Sequence, residues 1–455
     1  MQLRWRRDKP PSFSPVATMS VHMYVFYSAA LAVALLLGLP FWLVQMVRHG
    51  KYRAGLGERF GRLPARLMPA AGSIWLHAVS VGEVLAAAGL VNALRQRFPE
   101  RRVVVSTTTF TGQKLARQRF GEDNVFYFPI DFGFAIRPYL EHLRPALVVV
   151  AETEFWPNFL RLADDSGAQV AIVNARISDR SLPRYLQARA LFRRVLAHVD
   201  LFLTQSEEDQ RRLMAIGAQP ERVRVSGNLK FDVVASTDPA IVNELRTAMT
   251  AGGAGPVIIA GSTVEGEEPL VLNAFRRVLA AQANAVLVVA PRHPERFAAV
   301  AELVASSSLK FWRRSQWGPS DLVSGGVFLL DTIGELGPLY QLADVAFVGG
   351  SLAPRGGHNI LEPATYGVPV IVGPHTENFR DIVDLFRRAE AVTVVHNASE
   401  LTAEFSALLA DPHKRREQGK RAAALVRRQS GATSRTLFEL EHLLQASESE
   451  VRARR

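Results

Sequence analysis

The chain has no cysteine among its 455 residues, which removes disulfides and thiolate metal sites and leaves the compartment open. It also lacks the compact signatures of several common chemistries. There is no Walker A sequence, no His-Glu-x-x-His, no Asp-x-Asp, and no Gly-x-Gly-x-x-Gly opening the first strand–helix turn. ATP hydrolysis, zinc hydrolysis and dinucleotide redox chemistry all lose ground accordingly. Another absence is positional. Between Lys9 and Arg48 there is not one Asp, Glu, Lys or Arg.

That uncharged stretch holds "VHMYVFYSAALAVALLLGLPFWLVQMV", Val21 to Val47. As a helix it is long enough to cross a bilayer. Tyr24, Tyr27 and Trp42 lie toward its ends, as interfacial aromatics do. A cleaved signal competes with this reading, but the apolar region is too long and lacks a clear small-residue cleavage site. A buried core helix is the plain alternative. The expectation is an uncleaved anchor at residues 21–47, or a helix sunk in one leaflet. Arg4, Arg6, Arg7 and Lys9 precede it, while Arg48, Lys51, Arg53, Arg59 and Arg62 follow, so the positive-inside rule pulls both ways. Starting at Met19 or Met23 would remove the upstream arginines, and residues 1–20 read as an extension of uncertain translation.

What the chain does have is apolar content of 48% and a net charge of +11, from 54 basic and 43 acidic residues. Disorder does not fit such a composition, and the length calls for two domains plus an appendage. The charge invites a nucleic-acid reading. However, the basic residues are scattered and no nucleic-acid motif accompanies them, so the expectation is no nucleic acid. An anionic membrane surface or substrate accounts for the charge equally well.

Past the apolar stretch, short β-rich runs alternate with helical segments. "SIWLHAV", "RVVVSTT", "VFYFPI", "ALVVVA", "QVAIVNA", "DLFLTQ" and "RVRVSG" read as strands. After a polar, glycine-ended link from Val233 to Gly255, the alternation restarts with "PVIIAG", "AVLVVAP", "VFLLD", "DVAFVGG" and "VPVIVG". The pattern predicts an α/β fold, with parallel sheets covered by helices on both faces. Domains are expected at residues 48–235 and 236–430, followed by a helical tail at 431–455 whose end, "SESEVRARR", frays.

Ligands of open α/β sheets bind beyond the carboxyl ends of the strands, and polar residues gather there. If the two rims face a cleft, one suits a donor and the other an acceptor. Ser80-x-x-Glu83 matches a capping box; a carboxylate there could equally take a substrate's proton, and spacing alone leaves both readings open. "VAETEFWPN" puts Glu152 and Glu154 directly after a strand, where helix N-terminal charge is the plain reading. "SGNLKFD" sets Lys230 at another strand end, either as a surface lysine or as a cation for a leaving group. "APRHPERF" offers Arg292 and His293 to a phosphate or a base edge. In "VGGSLAPRGGHNILEPATYGVPV" the glycines let backbone approach a nucleotide, a helix starts near Asn359 with free amides, and Glu362 can accept from ribose hydroxyls.

Taken together, "HAVSVGE", "ETEFWPN", "NARIS", "GNLKFD", "GSTVEGEE", "PRHPERF", "DTIGELGPLY" and "AFVGGSLAPRGGHNILEPATYGVPVIVGPHT" resemble the 3-deoxy-D-manno-octulosonic acid (Kdo) transferases of lipopolysaccharide synthesis. The blocks run in family order from about Tyr52 to His375. The resemblance implies a GT-B architecture, with two Rossmann-like domains behind a membrane anchor. It implies an inverting, metal-independent glycosyltransferase without a cofactor, moving Kdo from CMP-Kdo to lipid IVA on the cytoplasmic face of the bacterial inner membrane. It makes Glu83 the general base and gives Glu152 and Lys230 transition-state roles. CMP contacts map onto Arg292 and His293, onto Ile333, Gly334 and Glu335, and onto Asn359, Ile360, Leu361 and Glu362. Two departures are visible: Ile360 stands where the family often has proline, and Glu377 replaces an apolar residue. Rival readings are a membrane-associated GT-B transferase using a UDP-sugar and a non-catalytic, membrane-tethered nucleotide-binding protein.

Overall fold

The computed structural model describes residues 17–49, 54–232, 240–318 and 320–453. Most of the extension, residues 1–16, lies outside them, as do the basic Lys51 and Arg53 that follow the apolar stretch. That stretch forms one helix, α1 (Ala17–His49). Its window His22–Pro40 has a mean hydropathy of 1.9 and is 6% buried, which makes it long and apolar enough to cross a membrane. Length and composition alone suit an anchor or a signal sequence.

The chain divides into two compact units, Met1–Asp232 with Ser430–Arg455, and Val233–Gln429. The first holds β1 (Ile74–His77), β2 (Val103–Thr107), β3 (Val125–Tyr127), β4 (Leu147–Ala151), β5 (Gln169–Ala175), β6 (Leu201–Thr204) and β7 (Val223–Val225). All seven pair in parallel, in the order β3-β2-β1-β4-β5-β6-β7. The order reverses beside β1, the switch point at which doubly wound sheets bind ligands. The strands from β1 to β6 are buried on both faces, which is why most of them read as apolar runs, whereas the edge strand β7 exposes Arg224 and Val225. Fully buried Trp75 anchors the core on one face against Phe126, Tyr139 and Phe159, and its indole N–H donates to Ser106 Oγ at 2.8 Å. Two helices carry the rim, α2 (Val81–Arg97) after β1 and α3 (Pro157–Asp165) after β4.

The second unit repeats the plan with β8 (Val257–Thr263), β9 (Val286–Pro291), β10 (Lys310–Arg313), β11 (Gly326–Leu329), β12 (Val345–Val348), β13 (Val370–Val372) and β14 (Val392–Val394). These are also parallel, in the order β10-β11-β9-β8-β12-β13-β14. The two edge strands, β10 and β14, go beyond the five that the sequence pattern indicates. Each is short, and β10 presents charged Lys310 and Arg313, so neither makes an apolar run. The expected link needs a correction too. Ala240–Ala251 is a helix, α4, with Ile241, Val242, Leu245, Ala248 and Met249 buried at helical spacing. The part of the link at residues 233–239 lies outside the described residues. In this unit α5 (Glu267–Ala281) follows β8, and a five-residue turn of helix, α6 (Leu361–Thr365), opens after the glycine-rich loop.

The last helix, α7 (Ala432–Ala453), belongs to the first unit. Leu440 and Leu444 bury into the same cluster as Leu90 and Leu94 of α2. Asp232 accepts from Gly431 N at 2.6 Å and from Thr433 N, fastening the helix start. The helix runs to Ala453, through most of the segment that reads as frayed in sequence.

Candidate functional site

On the first unit's rim, Ser80 is the N-cap of α2, and its Oγ accepts from Glu83 N at 3.4 Å. The Glu83 carboxylate turns back over the cap. Oε2 accepts from Val79 N at 2.7 Å and Oε1 from the Ser80 hydroxyl at 2.9 Å. The capping box therefore exists, with Val79 in place of the cap's own amide. Glu83 is also buried, and burial pushes its pKa from 4.5 up to about 7, helped by the neighbouring charges of Glu152 and Glu154 and opposed by the two hydrogen bonds. A cap alone would be better served by a fully ionised carboxylate. A carboxylate half-ionised near neutral pH is poised to take a proton.

Glu152 directly follows β4, and Lys230 Nζ lies 3.6 Å from its Oε1. Glu152 sits at φ 56 and Asn174, at the end of β5, at φ 55, a left-handed backbone that non-glycine residues rarely adopt. Asn174 opens the "NARIS" block. It is buried, its Oδ1 accepts from Leu229 N at 3.0 Å, and Asn228 Oδ1 accepts from Lys230 N at 3.0 Å. Thr153 and Arg176 exchange hydrogen bonds, tying "ETE" to "NARIS". Three loops, distant in sequence, thereby hold Glu152 against Lys230. Burial also raises the pKa of Glu154, with Glu152 adding to the effect. Nearby His77 is fully buried against Phe128, ring centroids 3.8 Å apart, and burial lowers its pKa to about 3, so it is a neutral packing group at working pH.

On the second unit, Arg292 and His293 are exposed just beyond β9, with Arg292 N donating to Thr263 O at 2.9 Å. Ile333 and Gly334 are exposed on their loop, and Glu335 is held by a two-pronged pairing with Arg314 at 3.2 and 3.0 Å. Asn359 bridges its own neighbours, donating to Glu362 Oε1 at 3.2 Å and accepting from Leu361 N at 3.1 Å. Burial raises the Glu362 pKa, while Asn359 and the Arg292 charge pull it back. Ile360 and Leu361 are buried in the core, which leaves only their backbone for a ligand. The expected free amides at this helix start are reduced, since Leu361 N is taken and α6 is one turn long.

The glycine-rich loop differs further from its sequence reading, and the reason is Glu267. This residue is fully buried at the start of α5. Its Oε1 accepts from Ser351, Leu352 and Ala353 N at 3.0, 2.9 and 3.2 Å; its Oε2 accepts from Gly350 and Val264 N at 2.8 and 3.1 Å. The amides that a nucleotide phosphate would seek at 350–353 are filled by the protein's own carboxylate. A Cβ at Gly349 would lie 2.7 Å from Glu267 Oε2, and one at Gly350 would lie 2.5 Å from the His358 ring. These two glycines therefore serve the carboxylate and the histidine packed on the loop. Next to it, buried Glu268 accepts from Arg296 at 2.6 and 3.2 Å and from Thr263 Oγ1 at 3.0 Å, bracing the segment that follows Arg292 and His293. Among the described residues, no three His, Asp or Glu side chains gather as a metal-binding set.

Residues 54–233 match the family model described as 3-deoxy-D-manno-octulosonic-acid transferase (kdotransferase). The whole chain is similar to the 3-deoxy-D-manno-octulosonic acid transferase of Haemophilus influenzae, 34% identical over 92% of this chain and 98% of the relative. It is similar to that of Bordetella pertussis as well, 36% identical over 92% and 99%. Among solved structures, a putative UDP-N-acetylglucosamine 2-epimerase from Listeria monocytogenes covers 83% of this chain and 98% of its own, with a TM-score of 0.53 and 15% identity. At that identity the likeness is one of fold, GT-B-like with two α/β units. Similarity along nearly the full length of both curated relatives, carried through both units, decides the family: the chain belongs to the 3-deoxy-D-manno-octulosonic acid (Kdo) transferases, glycosyltransferases of lipopolysaccharide biosynthesis.

Proposed function

We propose that the protein moves Kdo from CMP-Kdo to a primary hydroxyl of lipid IVA at the cytoplasmic face of the inner membrane, with α1 as its membrane attachment. The observation that carries the catalytic assignment is Glu83, a buried carboxylate with a pKa of about 7 at the carboxyl end of the sheet. As the acceptor oxygen attacks the anomeric carbon, its proton passes to Glu83. The bond from that carbon to the phosphate oxygen breaks with inversion, and CMP departs with the electron pair. Lys230, held by Glu152, supplies positive charge where negative charge develops. Arg292 and His293 contact CMP, as do Ile333 to Glu335 and Asn359 to Glu362, with Ile360 and Leu361 acting through backbone. Charge on the departing phosphate is met by side chains, without a metal or other cofactor. The basic surface, net +11, favours an anionic donor and a bisphosphorylated acceptor.

The test is CMP release from CMP-Kdo by the full chain, with and without lipid IVA, alongside UDP-sugars. Release that requires lipid IVA and CMP-Kdo together is expected. Turnover with a UDP-sugar instead, or CMP binding without turnover, overturns the proposal.

A further inference from the structure

The apolar helix α1 carries polar handles, and the first unit engages them. Tyr24 is 5% exposed, its ring beneath the Arg161 guanidinium at 4.7 Å and edge-on to His198 at 5.9 Å. Tyr27 hydrogen-bonds the Asp131 carboxylate. Ser28 Oγ accepts from Asn158 Nδ2 at 3.0 Å. Asp131 is itself buried, and it accepts from Asn158 N and Phe159 N at 3.1 and 2.7 Å, so one side chain fastens the start of α3 and the side of α1 together. At 100° per residue, the half-buried positions Ser28, Leu31, Ala32, Leu35 and Gly38 fall on the side of Tyr24. Exposed Phe26, Val33, Leu37 and Val44 form a stripe on the opposite side.

The far end of the helix is constrained too. From Ser28 to His49 the helix rises about 31 Å, which would suffice to cross a hydrocarbon core of about 30 Å. The chain must then rejoin the first unit, because Arg59 O accepts from Ile130 N at 2.9 Å, one residue from Asp131. Between His49 and Ala54 there are five Cα steps, a reach of at most about 18 Å whatever their conformation. A helix docked at Tyr24–Ser28 and crossing the bilayer would strand His49 on the far side, beyond that reach.

We infer that α1 does not span the membrane but lies docked on the first unit as an in-plane anchor. Its Phe26, Val33, Leu37 and Val44 stripe sinks into the acyl region of one leaflet. The occupant of that exposed face is lipid, because the His22–Pro40 stretch is uncharged, with a mean hydropathy of 1.9, and its exposed side has no polar rim to suit a soluble partner. The docking element α3 starts immediately after "ETEFW", so the anchor sets the Glu152 loop at the level of the lipid surface. The inference rests on the membrane attachment proposed above.

The absence of cysteine makes the test clean. Ser20→Cys and Ala54→Cys are introduced singly into the full chain and probed with a membrane-impermeant maleimide, in spheroplasts and in inside-out vesicles. Both positions should label in inside-out vesicles alone. Labelling of the two from opposite faces overturns the inference. In a second arm, Ser28→Cys with Asn158→Cys is treated with a short bismaleimide in intact membranes. An intrachain link between the two peptides, read by mass spectrometry, is expected, and no link in a transfer-competent variant refutes the docking. If the unmodified chain is absent from the membrane pellet while the link still forms, the membrane attachment fails and the docking stands.

Discussion

Replacing Glu83 with Gln separates the observed cap from the proposed base. In the native protein its oxygens accept from Val79 N at 2.7 Å and from the Ser80 hydroxyl at 2.9 Å. The amide oxygen of Gln can keep the first bond, and the hydroxyl can rotate to accept from the new NH₂, so the lost hydrogen bonding amounts to about 1 kcal/mol. Against this stands relief of a buried charge. A pKa raised from 4.5 to about 7 means that the ionised form is disfavoured in the folded protein by roughly 3 kcal/mol. The sign follows from proton uptake. The folded state holds this proton more tightly than the unfolded chain, so the group contributes stability below about pH 4.5 and loses it as pH rises to about 7. At pH 8, Glu83→Gln should therefore melt no lower than wild type and as much as ~2 kcal/mol higher in stability, the difference of those two estimates. Transfer should move the opposite way, falling by ~10²–10⁴-fold with loss of the base. Wild-type kcat/KM should climb about tenfold per pH unit below 7 and level off above it, and the variant should lack that limb. The assay is Kdo transfer across pH 5–9 with a melting curve at each pH. A well-folded Gln variant with near-normal transfer, or with the acid limb intact, refutes Glu83 as the base.

Glu267→Ala should lower the melting temperature by an amount matching at least ~3 kcal/mol, since several buried amides lose their acceptor, and should weaken CMP binding; calorimetry and CMP titration check both. Asn174→Ala should leave CMP affinity unchanged while reducing turnover tenfold or more, because it frees the Leu229–Lys230 segment on the unit that carries none of the proposed CMP contacts; steady-state kinetics beside CMP titration read the split. Transfer should survive excess EDTA, and a loss restored by Mg²⁺ would show that side-chain cations are not enough. Deleting residues 432–455 should make the protein insoluble, since Leu440 and Leu444 leave an open apolar face on α2, as fractionation after expression will show.

The central strands were legible because strands buried on both faces must be apolar throughout, as in "IWLH" and "VLVVAP". β10 and β14 were not, because an edge strand tolerates polar side chains and offers no run to read. Ala240–Ala251 was hidden by its neighbours. Its helical period is clear in Ile241, Val242 and Leu245, but a polar stretch before it and glycines after it dress the whole segment as a linker. At the rim, Ser80 and Glu83 were legible as a spacing that left cap and base both open, while the raised pKa of Glu83 was not legible. Its high pKa comes from burial and from Glu152 and Glu154, which only the fold brings near.

The glycine-rich loop carries the sharper lesson. Glycines beside a strand end are read as room for a phosphate, and acids at a helix start as complements to its dipole. In this chain the two features answer each other. Glu267 opens α5 and fills the amides of 350–353, so the glycines give close approach to a carboxylate of the protein itself. The reading of the glycines missed its partner because the two segments lie more than 80 residues apart in sequence. It follows that the loop is preorganised before any nucleotide arrives. Its shape is fixed by an internal carboxylate, whose two oxygens between them accept from five backbone amides. A phosphate competing for the same amides would first have to displace a fully buried carboxylate, which the hydrogen bonds on both of its oxygens oppose.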